Sequence, residues 1–328
     1  MRAYGTLETG EGRVTVRIGA IAARPRRGLK TGSAEAARGG VVDHLVLLKP
    51  RVMSLVVFTG AVGFVLAPGH VDWLKLTSTL SAMAAGAGAC GALNMWWDAD
   101  IDANMARTAM RPIPRGAVNP LHALMIGVLL SVVSVAALGL EVNWLAAALL
   151  ALTIAIYMPL YTMTLKRRTP QNIVIGGAAG ALPPVIGWAA ATGSLSVGPI
   201  AMFLFIFLWT PPHFWALALC RSGDYERVGV PMLPNVVGPA ETCRRIAIYT
   251  LLLVPASFGA LTIPGVGLFY AAVAAACNGV LLWKAFALYR LRDGEESPRR
   301  KAAMGLFGYS ILYMFLIHAA LLAQVMIR

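Results

Sequence analysis

The sequence predicts an all-α integral membrane protein, a bundle of nine transmembrane helices with its N-terminus in the cytoplasm and its C-terminus outside. Three observations predict it. The chain is 58% hydrophobic and only 13% charged, against about 25% charged residues in soluble domains. Its apolar residues gather into stretches near or above the ~20 residues that a helix needs to cross ~30 Å of hydrocarbon. Its basic residues fall almost entirely on one side of those stretches.

Residues 1 to 42 are rich in Gly, Ala and Arg and hold no stretch of spanning length, so they read as a mobile basic tail rather than a signal peptide. An Arg-rich start is also the mark of a mitochondrial presequence. Glu8, Glu11 and the lack of an amphipathic stripe favour a bacterial tail, and hence a bacterial cell inner membrane; the alternative is the mitochondrial inner membrane. Residues 43 to 328 then form a single transmembrane domain. Its apolar stretches run over 46–68, 71–97, 118–140, 143–164, 172–192, 196–219, 244–263, 265–289 and 303–326. Backbone polar groups in hydrocarbon must be satisfied internally, and stretches this long do so as helices.

Charge placement orients the bundle. Ten Lys and Arg precede residue 52, and the loops after the second, fourth, sixth and eighth stretches carry nearly all the others, with Lys284 inside the eighth. Only Lys75 and Arg328 lie on the opposite side. Positive residues stay in the cytoplasm, so an odd number of spans is needed. The net charge of +13 is therefore mostly a topology signal and implies the lipid bilayer, not nucleic acid, as partner. Cys90, Cys220, Cys243 and Cys277 show no C-x-x-C spacing and read as structural thiols.

The chemistry concentrates at the cytoplasmic end of the second span. Asn94, Asp98 and Asp102 recur every four residues, which stacks their side chains on one face of a helix. Two carboxylates held together beside a low-dielectric slab need a cation between them. Magnesium suits the donors, because it takes one or two carboxylates and completes its shell with water and substrate phosphate oxygens. Asp100 points off that face and stays outside the site. Arg107 and Arg111 follow, then Lys166 and Arg167 after the fourth span, then Asp224 and Tyr225 after the sixth. Carboxylates for metal and cations for phosphate make a diphosphate site, with an apolar tail running into the bundle. Stabilising a departing diphosphate cleaves an allylic carbon–oxygen bond, and Trp96, Trp97, Trp209, Phe214, Trp215 and Tyr225 are the aromatic candidates to face the resulting cation.

Bland readings compete with each of these. The acids are also explicable as solvated loop residues, the basic residues as topology signals and the aromatics as interfacial anchors. Against that stand Asn94 inside an apolar stretch and the recurrence of acids after the sixth span. A transporter places its acids in mid-span, whereas these sit at helix ends. A purely structural subunit has no use for the paired acids.

These residues resemble those of the intramembrane prenyltransferase superfamily, and among its branches the protoheme IX farnesyltransferases. The resemblance is carried by Lys49-Pro50-Arg51-Val52, by N-M-W-W-D-A-D-I-D-A-N-M-A-R-T-A-M-R-P-I-P-R-G from Asn94 to Gly116, and by Y-T-M-T-L-K-R from Tyr161 with G-G-A-A-G-A-L-P-P-V-I-G-W from Gly176. P-P-H-F-W from Pro211 and D-Y-E-R-V-G-V-P-M-L-P from Asp224 complete it. It implies transfer of a farnesyl group from farnesyl diphosphate to a vinyl group of protoheme IX, with water addition, on the cytoplasmic side of a multi-pass membrane protein. The runner-up is the same chemistry on an aromatic acid or chlorin acceptor. By the resemblance Asn94, Asp98, Asp102 and Asp224 hold Mg2+ through diphosphate, and Arg107, Arg111, Lys166 and Arg167 assist the leaving group. A second D-x-x-x-D is missing, because Val228 stands four places after Asp224; Glu226 is the acid nearest to replace it. His213, Tyr225, Lys49 and Arg51 are the candidates for the heme and prenyl pocket, with heme a substrate rather than a cofactor. Heme A synthase or oxidase assembly proteins are the expected protein partners.

Overall fold

The computed structural model describes residues 5–9, 12–16 and 39–326, apart from the side chains of residues 5–9, 12–16, 51 and 52. The greater part of the expected tail, and the terminal Arg328, lie outside the described residues. The chain divides into two compact units, Met1–Ala36 and Ala37–Arg328. In the first, strands β1 (Gly5–Thr9) and β2 (Gly12–Val16) pair antiparallel with Gly5 opposite Val16.

The second unit is helical throughout its regular elements. Among the described residues, eight helices are long and apolar enough to cross a membrane, and a shorter apolar helix covers Met53–Val65. The shorter one is where the expected span over 46–68 breaks. Helix α1 (Val41–Leu47) stops, Lys49 takes a left-handed conformation (φ 53°, ψ 56°), and α2 begins at Pro50 and ends at Val65. Proline has no N–H and its ring strikes the preceding turn, so a helix cannot run through it unkinked. Lys49 is the one non-glycine with positive φ among the described residues, a conformation costing about 1–3 kcal/mol.

The remaining spans fall close to their predicted ranges. Helix α3 (Trp73–Trp97) starts at Asp72, whose carboxylate accepts from the backbone of Leu74 and Lys75, satisfying two of the free N–H groups of a helix start. The four-residue α4 (Ala99–Asp102) continues it. Asn119 caps α5 (Pro120–Glu141), and Asn143 caps α6 (Trp144–Ala155) while also donating to the carbonyls of Ala189 and Ala190. The fourth span then widens into a π-helical segment, Ile156–Leu165, around Pro159. Pro183 and Pro184 divide the fifth span into α7 (Asn172–Ala181) and α8 (Pro183–Thr192).

The later helices are longer than expected on the basic side. Helix α9 (Val197–Arg227) passes residue 219, with non-helical torsions at Arg221, so Asp224 and Tyr225 sit on helix rather than in a loop. Helix α10 spans Leu233–Phe258 instead of starting at 244, and contains a break at Gly238 (φ 84°) before Pro239. It leads through a 3-10 turn, Gly259–Thr262, to α11 (Leu268–Arg290) and α12 (Glu296–Met326).

Two large apolar cores hold the bundle. One joins α9, α10, α11 and α12 around Trp215, Tyr270 and Tyr313; the other joins α2, α3, α5, α6 and α8 around Met83, Leu138 and Ile186. The second depends on close backbone approach. A Cβ at Gly63 would strike the Pro184 carbonyl, and one at Gly187 would strike the Gly60 carbonyl. All four cysteines are buried and free, as their spacing led us to expect.

Candidate active site

The C-terminal end of α3 builds the site. Asp98 leaves helical geometry (φ −90°, ψ 7°), yet its N–H still donates to the Asn94 carbonyl at 2.9 Å and the Asp102 N–H to the Asp98 carbonyl at 2.8 Å. The four-residue ladder therefore survives the helix end. Thr108 Oγ1 donates to the Asp102 carbonyl at 2.9 Å, which secures the last turn.

Burial separates the acids. Asp98 and Asp102 are 0% and 2% exposed, which removes the solvated-loop reading for both. The Asp100 side chain is 62% exposed and stays off the shared face, as expected. A buried charge must be paired, and the pairing is cationic. Lys166 Nζ donates to Asp98 Oδ2, Arg167 Nη2 lies 3.4 Å from Asp98 Oδ1, and Arg111 Nη1 donates to Asp102 Oδ2 at 2.6 Å. Asn94 links the group: its Nδ2 donates to Asp98 Oδ2 at 2.7 Å and to Thr162 Oγ1 at 3.4 Å, and its Oδ1 accepts from Lys49 Nζ at 2.6 Å.

The π-helical segment explains how residues some 70 positions away reach this cluster. A π turn spaces its hydrogen bonds five residues apart, and Lys166 N–H donates to the Tyr161 carbonyl at 2.8 Å. The segment thus aims Thr162 at Asn94 and Lys166 at Asp98. Such wide turns gather at functional sites. Tyr161 lies within electrostatic reach of both Asp98 and Tyr225.

The cluster carries a surplus of positive charge. Lys49, Arg111 and Lys166 face the two carboxylates of Asp98 and Asp102, while Arg167 is shared with Asp100 through two bonds of 2.7 Å. Burial, followed by the charges of Arg111 and Lys166, pushes the Lys49 ammonium down to about 7 despite the opposing pull of Asp102 and Asp98. Asp100 meets its own burial penalty, but the Arg167 hydrogen bonds hold its carboxyl below the usual range.

Other expected residues take different places. Arg107 is exposed and makes no ion pair among the described residues, so it stands outside the cluster. The side chain of Asp224 is 16% exposed and lies 3.6 Å from Arg227, not against Asp98 or Asp102. Glu226 lines a cavity of about 440 Å³ together with Glu296, Arg299 and Arg300. Trp215 turns into the core against Tyr249, and Phe214 is 40% exposed. Trp96 and Trp97 form a tilted pair with centroids 5.7 Å apart. His213 packs between Trp209 and Phe307, and the side chain of Arg51 is outside the described part. Lys49, a candidate for the heme and prenyl pocket, donates to Asn94.

Comparison with known proteins decides the family. The model of the UbiA prenyltransferase family matches residues 56–324. The chain belongs to the UbiA prenyltransferase family. It is 57% identical to the protoheme IX farnesyltransferase of Parvibaculum lavamentivorans over 297 residues, covering 89% of this chain and 92% of that one. The UbiA fold recurs in the structure of a digeranylgeranylglyceryl phosphate synthase, with a TM-score of 0.73 at 17% identity, covering 88% of this chain and 99% of that chain. A UbiA homolog from Archaeoglobus fulgidus bound to DMAPP and Mg2+ matches with a TM-score of 0.62 at 15% identity, covering 85% and 99%.

The residues present suit a magnesium ion. Asn94, Asp98 and Asp102 offer hard oxygen donors, and Asp102 Oδ1 makes no hydrogen bond among the described residues. No cluster of three His, Cys, Asp or Glu able to hold a metal occurs among the described residues. Thr162, Thr108 and the role of Lys49 had no signal in the spacing of the acids. Only the helix-interior Pro159 hinted that the fourth span was irregular.

Proposed function

We propose that the protein transfers the farnesyl group of farnesyl diphosphate to a vinyl group of protoheme IX, with water addition, giving heme O and diphosphate. The observation that carries the chemistry is the cationic surplus around two buried carboxylates. The identity to protoheme IX farnesyltransferases supports the acceptor. Lys166 and Arg111 neutralise charge on the diphosphate as it leaves, and Lys49, bonded to Asn94, stands beside them. Arg107, exposed at the end of the acid motif, turns onto the diphosphate from outside. Asn94, Asp98, Asp102 and Asp224 hold Mg2+, which when bound supplies Lewis-acid stabilisation of the leaving oxygen. Asn94 keeps Asp98 oriented through its amide. Thr162 and Tyr161 line the wall where the allylic carbon parts from the diphosphate. Lys49, Arg51, His213 and Tyr225 border the prenyl and heme pocket.

Nine spans, counting α2, place the N-terminus in the cytoplasm and the C-terminus outside, with the acid cluster on the cytoplasmic face of a bacterial inner membrane. The domain from residue 43 onward carries the reaction and residues 1 to 42 are an accessory tail. Hand-over of the product to heme A synthase or to oxidase assembly proteins follows from the chemistry of a membrane-held heme. The test is purified full-length protein in lipid nanodiscs with farnesyl diphosphate, protoheme IX and Mg2+. The expected result is a heme with a hydroxyethylfarnesyl group by mass spectrometry, lost with EDTA and restored by Mg2+. Cleavage of farnesyl diphosphate with no change in heme would contradict the acceptor, and product formation in EDTA would contradict the metal.

A further inference from the structure

Helix α12 holds His213 through one hydroxyl. Ser310 Oγ donates its single proton to the Phe307 carbonyl at 2.7 Å, so in its 2.7 Å contact with His213 Nδ1 it can only accept. The imidazole proton is therefore on Nδ1, and the Nε2 lone pair is bare. The ring is fixed as well as polarised. Trp209 and Phe307 stack on it with centroids at 4.3 and 4.6 Å and interplanar angles of 18° and 26°. Trp209 Nε1 also donates to the Ser310 carbonyl at 2.9 Å, locking the two helices at this level.

Nε2 has no partner among the described residues, and it is not one of the sealed polar atoms; the residue keeps 8% exposure. A helix-packing histidine needs neither a defined tautomer nor an open edge. The chemistry that uses a bare, in-plane imidazole nitrogen framed by aromatic faces is coordination, and the substrate class proposed above brings an iron. His213 lies eleven residues before Asp224 on α9, on the apolar side of the non-helical torsions at Arg221.

We propose that Ser310 is a positioning residue that holds His213 with Nε2 presented as an axial ligand to the iron of the protoheme substrate. This rests on protoheme IX being the acceptor. A hydrogen-bonded partner on the far nitrogen orients a ligating imidazole and typically contributes about 10–100-fold to metal affinity. His318 is the competing nitrogen: it is fully buried on α12, its Nδ1 contacts the Met314 carbonyl at 2.9 Å, and its Nε2 is sealed without a partner. A sealed nitrogen cannot meet a porphyrin without opening the helix packing around it.

The experiment is absorption and electron paramagnetic resonance of the full-length protein in nanodiscs, titrated with ferric protoheme IX. We expect an imidazole-ligated signature in the wild type and in His318→Ala, and its loss in His213→Ala. Ser310→Ala should weaken heme binding about tenfold, and Ser310→Thr, which keeps the hydroxyl, should recover most of it. Wild-type helix content by circular dichroism and an unchanged melting temperature in each variant show that the fold is intact. An unchanged spectrum in His213→Ala, loss of the signature in His318→Ala, or unaltered heme affinity in Ser310→Ala would each overturn the assignment. A wild type that binds farnesyl diphosphate but no protoheme would overturn the acceptor reading itself, and the ligand assignment with it.

Discussion

The two acidic motifs of this chain both lie at helix ends after long apolar runs, yet the structure treats them differently. In the first, Asp98 and Asp102 are almost completely buried, and each is clamped by a cation from a distant part of the chain or from the following loop. In the second, Asp224 keeps 16% exposure and, among the described residues, its ion pair is to Arg227, three residues on along the same helix. The lesson is physical. An ion pair to a largely exposed arginine on the same helix contributes little, whereas two buried carboxylates demand several kcal/mol of compensation each and are compensated here by more positive charge than they carry. The function proposed above therefore treats the first motif as the prepared site and assigns the second to complete it when substrate binds.

This comparison orders the expected effects of substitution. Asp102→Asn removes a buried charge from the prepared motif and should lower kcat about 100-fold or more, measured as heme product formed in nanodiscs. Arg111→Ala breaks the 2.6 Å charge-assisted bond to Asp102; at about 2–3 kcal/mol for such a bond, a loss of roughly 30- to 100-fold is expected, together with a raised KM for farnesyl diphosphate. Asp224→Ala should cost about tenfold and chiefly weaken the dependence on Mg2+ concentration. Arg107→Ala, at an exposed position, should change kcat/KM less than about fivefold. If Asp224→Ala proved as damaging as Asp102→Asn, the two motifs would be equal partners and the distinction drawn from burial would fail. A large effect of Arg107→Ala would instead show that the exposed guanidinium folds tightly over the bound substrate.

Much of this was legible in the sequence, for stated reasons. The ends of α3, α5 and α11 fall within a few residues of their predicted ranges because hydrophobic length and capping residues act locally. The shared face of Asn94, Asp98 and Asp102 followed from helical spacing alone, and so did the exclusion of Asp100. The break at Lys49 was missed although Pro50 was in view, since an apolar window averages over a single proline. Thr162 and Ser310 were missed for another reason. Each acts through a partner 68 or 97 residues away, and a lone sequence carries no signal for such pairs. Lys49 was placed by its membrane-surface position and not by its reach, and the left-handed turn that sends it to Asn94 is a property of the folded chain.

The most direct test is to express the chain in a bacterial membrane that lacks heme O, extract the hemes and compare wild type with Asp98→Ala by chromatography and mass spectrometry, with both proteins present at equal levels. A heme carrying a hydroxyethylfarnesyl group in the wild type, and none in Asp98→Ala, is the predicted result. The same modified heme from Asp98→Ala would contradict the assignment of the buried carboxylates to the diphosphate site, and its absence from a well-folded wild type would contradict protoheme IX as the acceptor.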